Sequence, residues 1–455
     1  MGNIDKYRGC LLGGAAGDAL GYAIEFDREE AIAARYGSRG IRNYWLDKRG
    51  LAPFSDDTQM TLYTANSLLC SLAALSAQAS GGSQASVGTQ PSGSAQASSG
   101  APTSSDTPAL ASPTLPSPTA LAAYAPTQMA QFYVEWMYTQ VSPYPLAEPK
   151  AWISNLPELF ASRAPGITCL NACEAMASGA KVVNNSKGCG GIMRMAPAGL
   201  INTSPGFSGV ELQRLGAQLA GLTHRHELGW MPAGVFAHIV SLLARNESCS
   251  VREAATQALN TLPEAFPNAH YLAQLQELLG YTLRLADSAM PDLEAIHALG
   301  EGWVAEEALA IGLLCSLRHE DDFAGAITSA VNHGGDSDST GAIAGNIVGA
   351  HLGLAGIPQR YLEHLELRDT ISKIADDLFT GPQASPDLYF PPVTFQPSAP
   401  TATASSPGKQ ARRRPLDLHF SCLRLPSRRR AHRPVHSGRR RADRERARGI
   451  HHFLR

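Results

Sequence analysis

Apolar positions recur over most of this chain with the three-and-four spacing of amphipathic helices, and runs alternating with period two are few. The spacing predicts helices over residues 209–222, 232–243, 251–262, 271–286, 301–317 and 323–332. Another begins at Asp56-Asp57 and carries its apolar face through Leu62, Ala65, Leu68, Leu69 and Leu72, and helical patterning resumes over 128–136. The body therefore reads as all-α, one compact domain in two parts, residues 1–75 and 128–382.

Two segments fall outside that pattern. Residues 76–127 are dominated by Ala, Ser, Gly, Pro, Thr and Gln, with Asp106 the one charge and Tyr124 the one aromatic. Such a composition offers too little apolar area to offset its ordering entropy, so it reads as a disordered insertion between helices. Residues 383–455 turn Pro/Ser/Thr-rich and then Arg-rich, a disordered basic tail. Both are expected to be dispensable for folding.

Composition adds an asymmetry. The formal net charge is −2, yet residues 412–455 hold fifteen Arg against three acids. An acidic body gives no reason to expect nucleic-acid binding by the body itself, and the tail is open to RNA, heparin or membrane contact without support for any of them. The eight cysteines are scattered with no CxxC pair, which fits free thiols in a reducing, cytoplasmic compartment. The first eight residues are polar and show no signal-peptide pattern. No uninterrupted apolar run approaches the roughly 20 residues that span a membrane.

Glycine spacing marks the centre. Gly9, Gly13, Gly17 and Gly21 recur every four residues in an apolar stretch, and Gly341, Gly345 and Gly349 repeat that spacing later. Each glycine in a helix costs about 1 kcal/mol relative to Ala, so a stripe of them points to close approach of another backbone. Asp18 lies inside the first stripe, where a carboxylate must find a partner; a helix cap is the plain reading. Glu25 falls just past the end of that helix.

Two hydroxyl–carboxylate clusters carry the candidate chemistry. One is Ser55-Asp56-Asp57-Thr58 at a helix start, and the other is Asp336-Ser337-Asp338-Ser339-Thr340 between glycines, with Ser339 or Thr340 placed to cap the helix that follows. Taken singly, each is equally an N-cap with acids in a first turn. Adjacent carboxylates repel unless a cation lies between them, and oxygen-only donors suit Mg²⁺, Mn²⁺ or Ca²⁺. An EF-hand register is excluded, because its twelfth position would be Ile347 where a bidentate Glu is required. The glycine-rich stretch 187–197 can aim backbone N–H groups at an anion, with Arg194 adding charge; a plain turn is the alternative. His224, in 222–226, reads as easily as a packed histidine as a ligand contact.

Together, GCLLGGAAGDALG at 9–21, SDDTQM at 55–60, GCGGIMRMAP at 188–197, LTHRH at 222–226 and GGDSDSTGAIAGN at 334–346 resemble the ADP-ribosylglycohydrolase family, which includes dinitrogenase reductase-activating glycohydrolase. The resemblance covers about residues 6–380 without the insertion. It implies a compact all-α hydrolase with two Mg²⁺ or Mn²⁺ ions in a central cleft, held by Ser55, Asp56, Asp57, Asp336, Asp338 and Ser339. It also implies a diphosphate held at Cys189, Gly190 and Gly191, with His224 near the ligand and Glu25 a flexible acid beside the metals. Asp57 or Asp338 would take a proton from the attacking water. The expected activity is metal-dependent release of ADP-ribose, with arginine-linked ADP-ribose on protein as the leading substrate. Serine-linked or small ADP-ribose conjugates are the rival, and a silent ADP-ribose-binding member is the rival from another class. The expected partners are the ADP-ribosylated protein or a small conjugate, with no membrane, for a monomeric protein.

Overall fold

The glycine stripes of the sequence turn out to face one another. In the computed structural model, which describes residues 3–82 and 115–390, the first helix is α1 (Ile4–Tyr22), followed by α2 (Glu29–Tyr36), α3 (Asp56–Gly82), α4 (Pro118–Val141), α5 (Ile167–Ala177), α6 (Ala196–Leu200) and α7 (Gly209–Ala220). Then come α8 (Glu227–Arg245), α9 (Val251–Ala265), α10 (Leu272–Ala286), α11 (Asp292–His297), α12 (Ala305–Arg318), α13 (Phe323–Val331), α14 (Ser337–Leu352), α15 (Arg368–Thr380) and α16 (Pro386–Tyr389). Among the described residues the only β pairing is two isolated bridges, Ala52 with Leu365 and Gly188 with Val304. The all-α expectation holds, and the described residues belong to one compact unit.

Helices α1 and α14 run antiparallel in backbone contact. A Cβ added to Gly17 would lie 1.9 Å from the Gly341 carbonyl oxygen, and one added to Gly345 would lie 2.0 Å from that of Gly13. No side chain fits at such distances, so glycine is the residue that permits this spacing. Asn346 pins the pair by donating to the Cys10 carbonyl at 2.8 Å. Helices α12, α13 and α8 pack against α14, and α15 against α1. Helices α3 (over Asp56–Ala79) and α8 are long and apolar enough by composition to cross a membrane, but most of each is buried inside the fold, as core helices are.

The edges of the proposed insertion and tail need correction. Helix α3 continues to Gly82, and α4 begins at Pro118, capped by Ser117, whose hydroxyl accepts from the Ala120 N–H at 3.3 Å. Leu121 and Ala125 of α4 are fully buried, so 118–127 belongs to the core. Its Ala/Pro-rich composition concealed it: Pro118 sits at the first helical turn, where a missing N–H costs nothing, and Pro126 lies further in. At the other end Tyr389 is buried, with its hydroxyl donating to Asp377 at 2.8 Å. The rest of the insertion, 83–114, and the tail from 391 lie outside the described residues. Deleting 76–127 entire is therefore expected to destabilise the protein. Truncating buried Leu121 to Ala alone should cost about 2–5 kcal/mol, read as a lower urea midpoint.

Candidate active site

The two acid clusters meet because each begins a helix and both helices are tied to α1. Asp18, on the penultimate turn of α1, is fully buried. Its Oδ1 accepts from the Ser55 N–H at 2.8 Å, and its Oδ2 accepts from the Thr58 N–H at 2.9 Å and the Thr58 hydroxyl at 2.5 Å. It thus caps α3 from a distant segment and satisfies N–H groups the helix cannot pair itself. Ser55 adds a local cap, its hydroxyl accepting from the Asp57 N–H at 3.2 Å. Asp56 is fixed from a third side: its N–H donates to the Arg163 carbonyl at 3.0 Å, and the Gly166 N–H donates to its Oδ2 at 3.4 Å. In the same turn Ala164 holds φ at 55°, a left-handed conformation that costs a non-glycine residue about 1 kcal/mol or more.

The second cluster starts α14 earlier than the hydroxyls suggest. Asp336, not Ser339 or Thr340, occupies the N-cap, and Asp338 and Ser339 fall in the first turn. The Asp336 N–H is anchored on the Glu301 carbonyl at 2.8 Å. Thr340 turns inward to hydrogen-bond Ala330, Asp336 and His333 and does not reach the cavity. The Ser339 hydroxyl donates to Asp57 Oδ2 at 2.8 Å, joining residues 282 positions apart.

A cavity of about 310 Å³ opens over this junction. Asp56, Asp57, Asp336, Asp338, Ser339 and Glu25 line one part of it, and Gly188, Cys189, Gly190 and His224 another. Ser55 sits at the start of α3 with its hydroxyl turned to the Asp57 N–H and is fully buried, and Gly191 packs below the loop, where a Cβ would meet the Gly229 carbonyl at 2.8 Å. Neither lines the cavity. Arg194 also departs from expectation: it is wholly buried beneath the glycine turn, with its guanidinium 4.4 Å from the centre of the Tyr133 ring. The glycine loop is a short 3₁₀ turn, Cys189–Gly191, and the Cys189 N–H is taken by the Trp303 carbonyl at 3.2 Å.

Several lining residues escaped the sequence reading. Phe26, 75% exposed, stacks on Trp303 with ring centres 6.2 Å apart, and both line the cavity with Ile167 and Cys169. An aromatic beside Glu25 was visible, but nothing in the spacing tied it to position 303. Asp18 was noticed, yet its role as the cap of α3 needed the fold to bring them together.

The electrostatics are those of crowded buried acids. Burial, and then repulsion from Asp338, push the carboxyls of Asp56, Asp57 and Asp336 well above their ordinary range. The same two causes push Glu25 up to about 10 and Asp18 up to about 7. Glu25 Oε2 and Asp336 Oδ2 are buried without a hydrogen-bond partner among the described residues. As they stand, no three His, Cys, Asp or Glu side chains among the described residues are drawn in around a single point; the Ser339 hydroxyl occupies an Asp57 oxygen that a cation would otherwise take. The donor set nevertheless fits hard divalent cations: it is all oxygen, Asp336 Oδ2 within it and Glu25 Oε2 beside it lack partners among the described residues, and its mutual repulsion is what a cation relieves.

Stability should report this crowding. These groups bind protons more tightly folded than unfolded, so their stabilising contribution is full below the unfolded carboxyl range and is lost as pH rises through the raised values. Buried His224, His238 and His333 carry the opposite sign, but their loss falls below about pH 6.5, the unfolded histidine value. With chelator present, the melting temperature is expected to fall between pH 7 and pH 8, and Mg²⁺ to flatten that slope. A profile indifferent to Mg²⁺ would mean the acids do not share a cation site.

Known proteins share the family and the fold. An uncharacterized protein of Archaeoglobus fulgidus is 25% identical over 379 residues, which cover 82% of this chain and 96% of that protein. ADP-ribosylhydrolase ARH3 of Bos taurus is 27% identical over 215 residues, and that of Homo sapiens 26% identical over 214. Each alignment covers 42% of this chain and only 57% and 58% of the respective ARH3 protein. A solved structure titled ADP-ribosylglycohydrolase-related protein complex shares the fold, with a TM-score of 0.51 at 22% identity, covering 83% of this chain and 98% of the other. The family model described as ADP-ribosylglycohydrolase matches residues 2–387, which takes in α1, both acid clusters, the glycine turn and His224. With those elements gathered around one cavity, the chain belongs to the ADP-ribosylglycohydrolase family.

Proposed function

We propose that this protein hydrolyses the glycosidic bond between ADP-ribose and a modified arginine side chain on protein. The observation that carries the reading is the junction of Asp57 with Ser339 on one cavity that also presents the glycine turn and His224. A diphosphate lies naturally against the turn and the ribose against the acids. An arginine leaving group is planar and cationic, and the Phe26–Trp303 stack gives it a face to lie on beside acidic Glu25.

Cleavage at the anomeric carbon builds oxocarbenium-like charge on a ribose that must be held in place over Asp56, Asp57, Asp336 and Asp338. Two Mg²⁺ or Mn²⁺ ions held by Asp56, Asp57, Asp336, Asp338 and Ser339, with Ser55 supporting α3, would supply Lewis acidity and a lower pKa for bound water. Asp57 or Asp338 accepts the proton from the attacking water. Glu25, which lines the same cavity, is the acid from which a proton can pass to the leaving nitrogen. Retention of every acid argues against a silent member. The seven described cysteines are free thiols, which supports a reducing, cytoplasmic setting, and we place the protein there as a monomer.

The test offers matched peptides carrying arginine-linked or serine-linked ADP-ribose. ADP-ribose should be released from the arginine peptide, stop with EDTA and return with Mg²⁺ or Mn²⁺. Release from the serine peptide alone would transfer the activity to that linkage, equal turnover in EDTA would remove the metal requirement, and binding without turnover would make this a reader of ADP-ribose.

A further inference from the structure

Arg194 is fully buried, yet among the described residues it forms no ion pair. Its Nη1 donates to the sulfurs of Met60 at 3.2 Å and Cys169 at 3.3 Å, and its Nε has no partner. The strong acceptor it touches is Thr223 Oγ1, which takes Nη2–H at 2.5 Å. The Tyr133 face 4.4 Å from the guanidinium offsets about 2 kcal/mol at most of the several that burying a cation with no carboxylate partner costs, so packing alone does not account for it.

The chain of donors continues. A guanidinium only donates, so Thr223 Oγ1 accepts on that side. The hydroxyl proton then goes to His224 Nδ1 at 2.9 Å or to the Ala220 carbonyl at 3.4 Å, and the shorter contact takes it. Nδ1 accepts, and a neutral ring must then carry its proton on Nε2. Burial and Arg194 together push the His224 pKa down to about 3, so the ring is neutral. Nε2 faces the glycine turn: a Cβ at Gly188 or Gly190 would lie 3.4 Å from it.

We infer that Arg194, acting through Thr223, fixes His224 as the Nε2–H tautomer, so that the imidazole presents a donor to the anionic part of the ligand. Arg194 and Thr223 are positioning residues, and the inference rests on the reading that the turn holds a diphosphate. Phosphate oxygens only accept, so the opposite tautomer would set a lone pair against them.

Full-length protein with ¹⁵N-labelled histidine tests this, by two-bond ¹H–¹⁵N correlation with the ring assigned through His224→Gln. The free protein should show His224 protonated at Nε2. Thr223→Val, which keeps shape but removes the hydroxyl, should bring in the Nδ1–H form and weaken ADP-ribose binding about tenfold, the loss of one charge-assisted hydrogen bond. Thr223→Ser should retain both properties, which separates the relay from packing and avoids a misfolded Arg194 variant. An Nδ1–H ring in the native protein, or an unchanged tautomer in Thr223→Val, overturns the inference. A switched tautomer with unchanged ADP-ribose affinity upholds the relay and counts instead against the diphosphate reading.

Discussion

Asp338→Asn is expected to lower turnover by at least tenfold and to weaken Mg²⁺ binding in step, while the metal-free protein melts at the same temperature or higher. The two halves of that result have one cause. Asp338 is the leading source of the repulsion that raises Asp56, Asp57 and Asp336, so removing its charge relaxes the empty site and impoverishes the loaded one. Each factor of ten is about 1.4 kcal/mol of lost transition-state stabilisation. Asp57→Asn should behave alike in turnover. A helix-capping role predicts the reverse: about 1 kcal/mol less stability and full activity. Among the described residues Asp57 accepts from no N–H of α3, whose start is capped by Asp18 and Ser55, whereas Asp338 Oδ1 accepts from the Ser339 N–H in the first turn of α14 at 2.9 Å, so for Asp338 turnover rather than geometry separates the two roles. Steady-state kinetics, Mg²⁺ titration and metal-free melting of both variants decide it, and unchanged turnover in either removes that residue from the site.

Gly17→Ala should be severely damaging. Helix propensity favours Ala by about 1 kcal/mol, but the added carbon would sit 1.9 Å from the Gly341 carbonyl oxygen. Overpacking costs about 1–3 kcal/mol, occasionally more, where neighbours can yield; here the obstacle is backbone, so the cost lies at the top of that range or beyond. The variant is expected to be largely insoluble or to melt far below the parent. Gly280→Ala is the control. In α10 its new Cβ would find nothing nearer than the movable Arg284 guanidinium at 3.6 Å, so stability should hold or rise. Equal melting temperatures for Gly17→Ala and the parent would show that α1 and α14 can part without harm.

The four-residue glycine repeat makes this contact legible in the sequence, because a helical stripe without side chains has few uses other than backbone contact. The acid clusters were legible as chemistry for a similar reason: carboxylates and hydroxyls at two helix starts are ambiguous singly and informative as a pair. What stayed hidden depended on partners far apart in sequence. Asp18 is an oddity within α1 until α3 is laid across it. Arg194 follows the glycine turn, a position that suggests an anion contact, yet the turn directs it inward to Tyr133 and Thr223. The start of α4 was lost because composition is a statement about average burial, and Leu121 and Ala125 are buried by neighbours that composition does not know.

The union of α1 with α14 also bears on how the molecule is made. Residues near the first helix must wait for residues some 330 positions later, as Asn346 and Cys10 are 336 apart. Contacts of such sequence separation raise contact order and are entropically late, since the intervening loop must close before they reward it. A chain emerging from the ribosome can assemble α3, α4 and the α7–α9 cluster while α1 still lacks its partner. The cleft therefore arises only after nearly the whole domain has been synthesised, so a nascent chain, or one truncated before α14, carries half a set of acids and no assembled site.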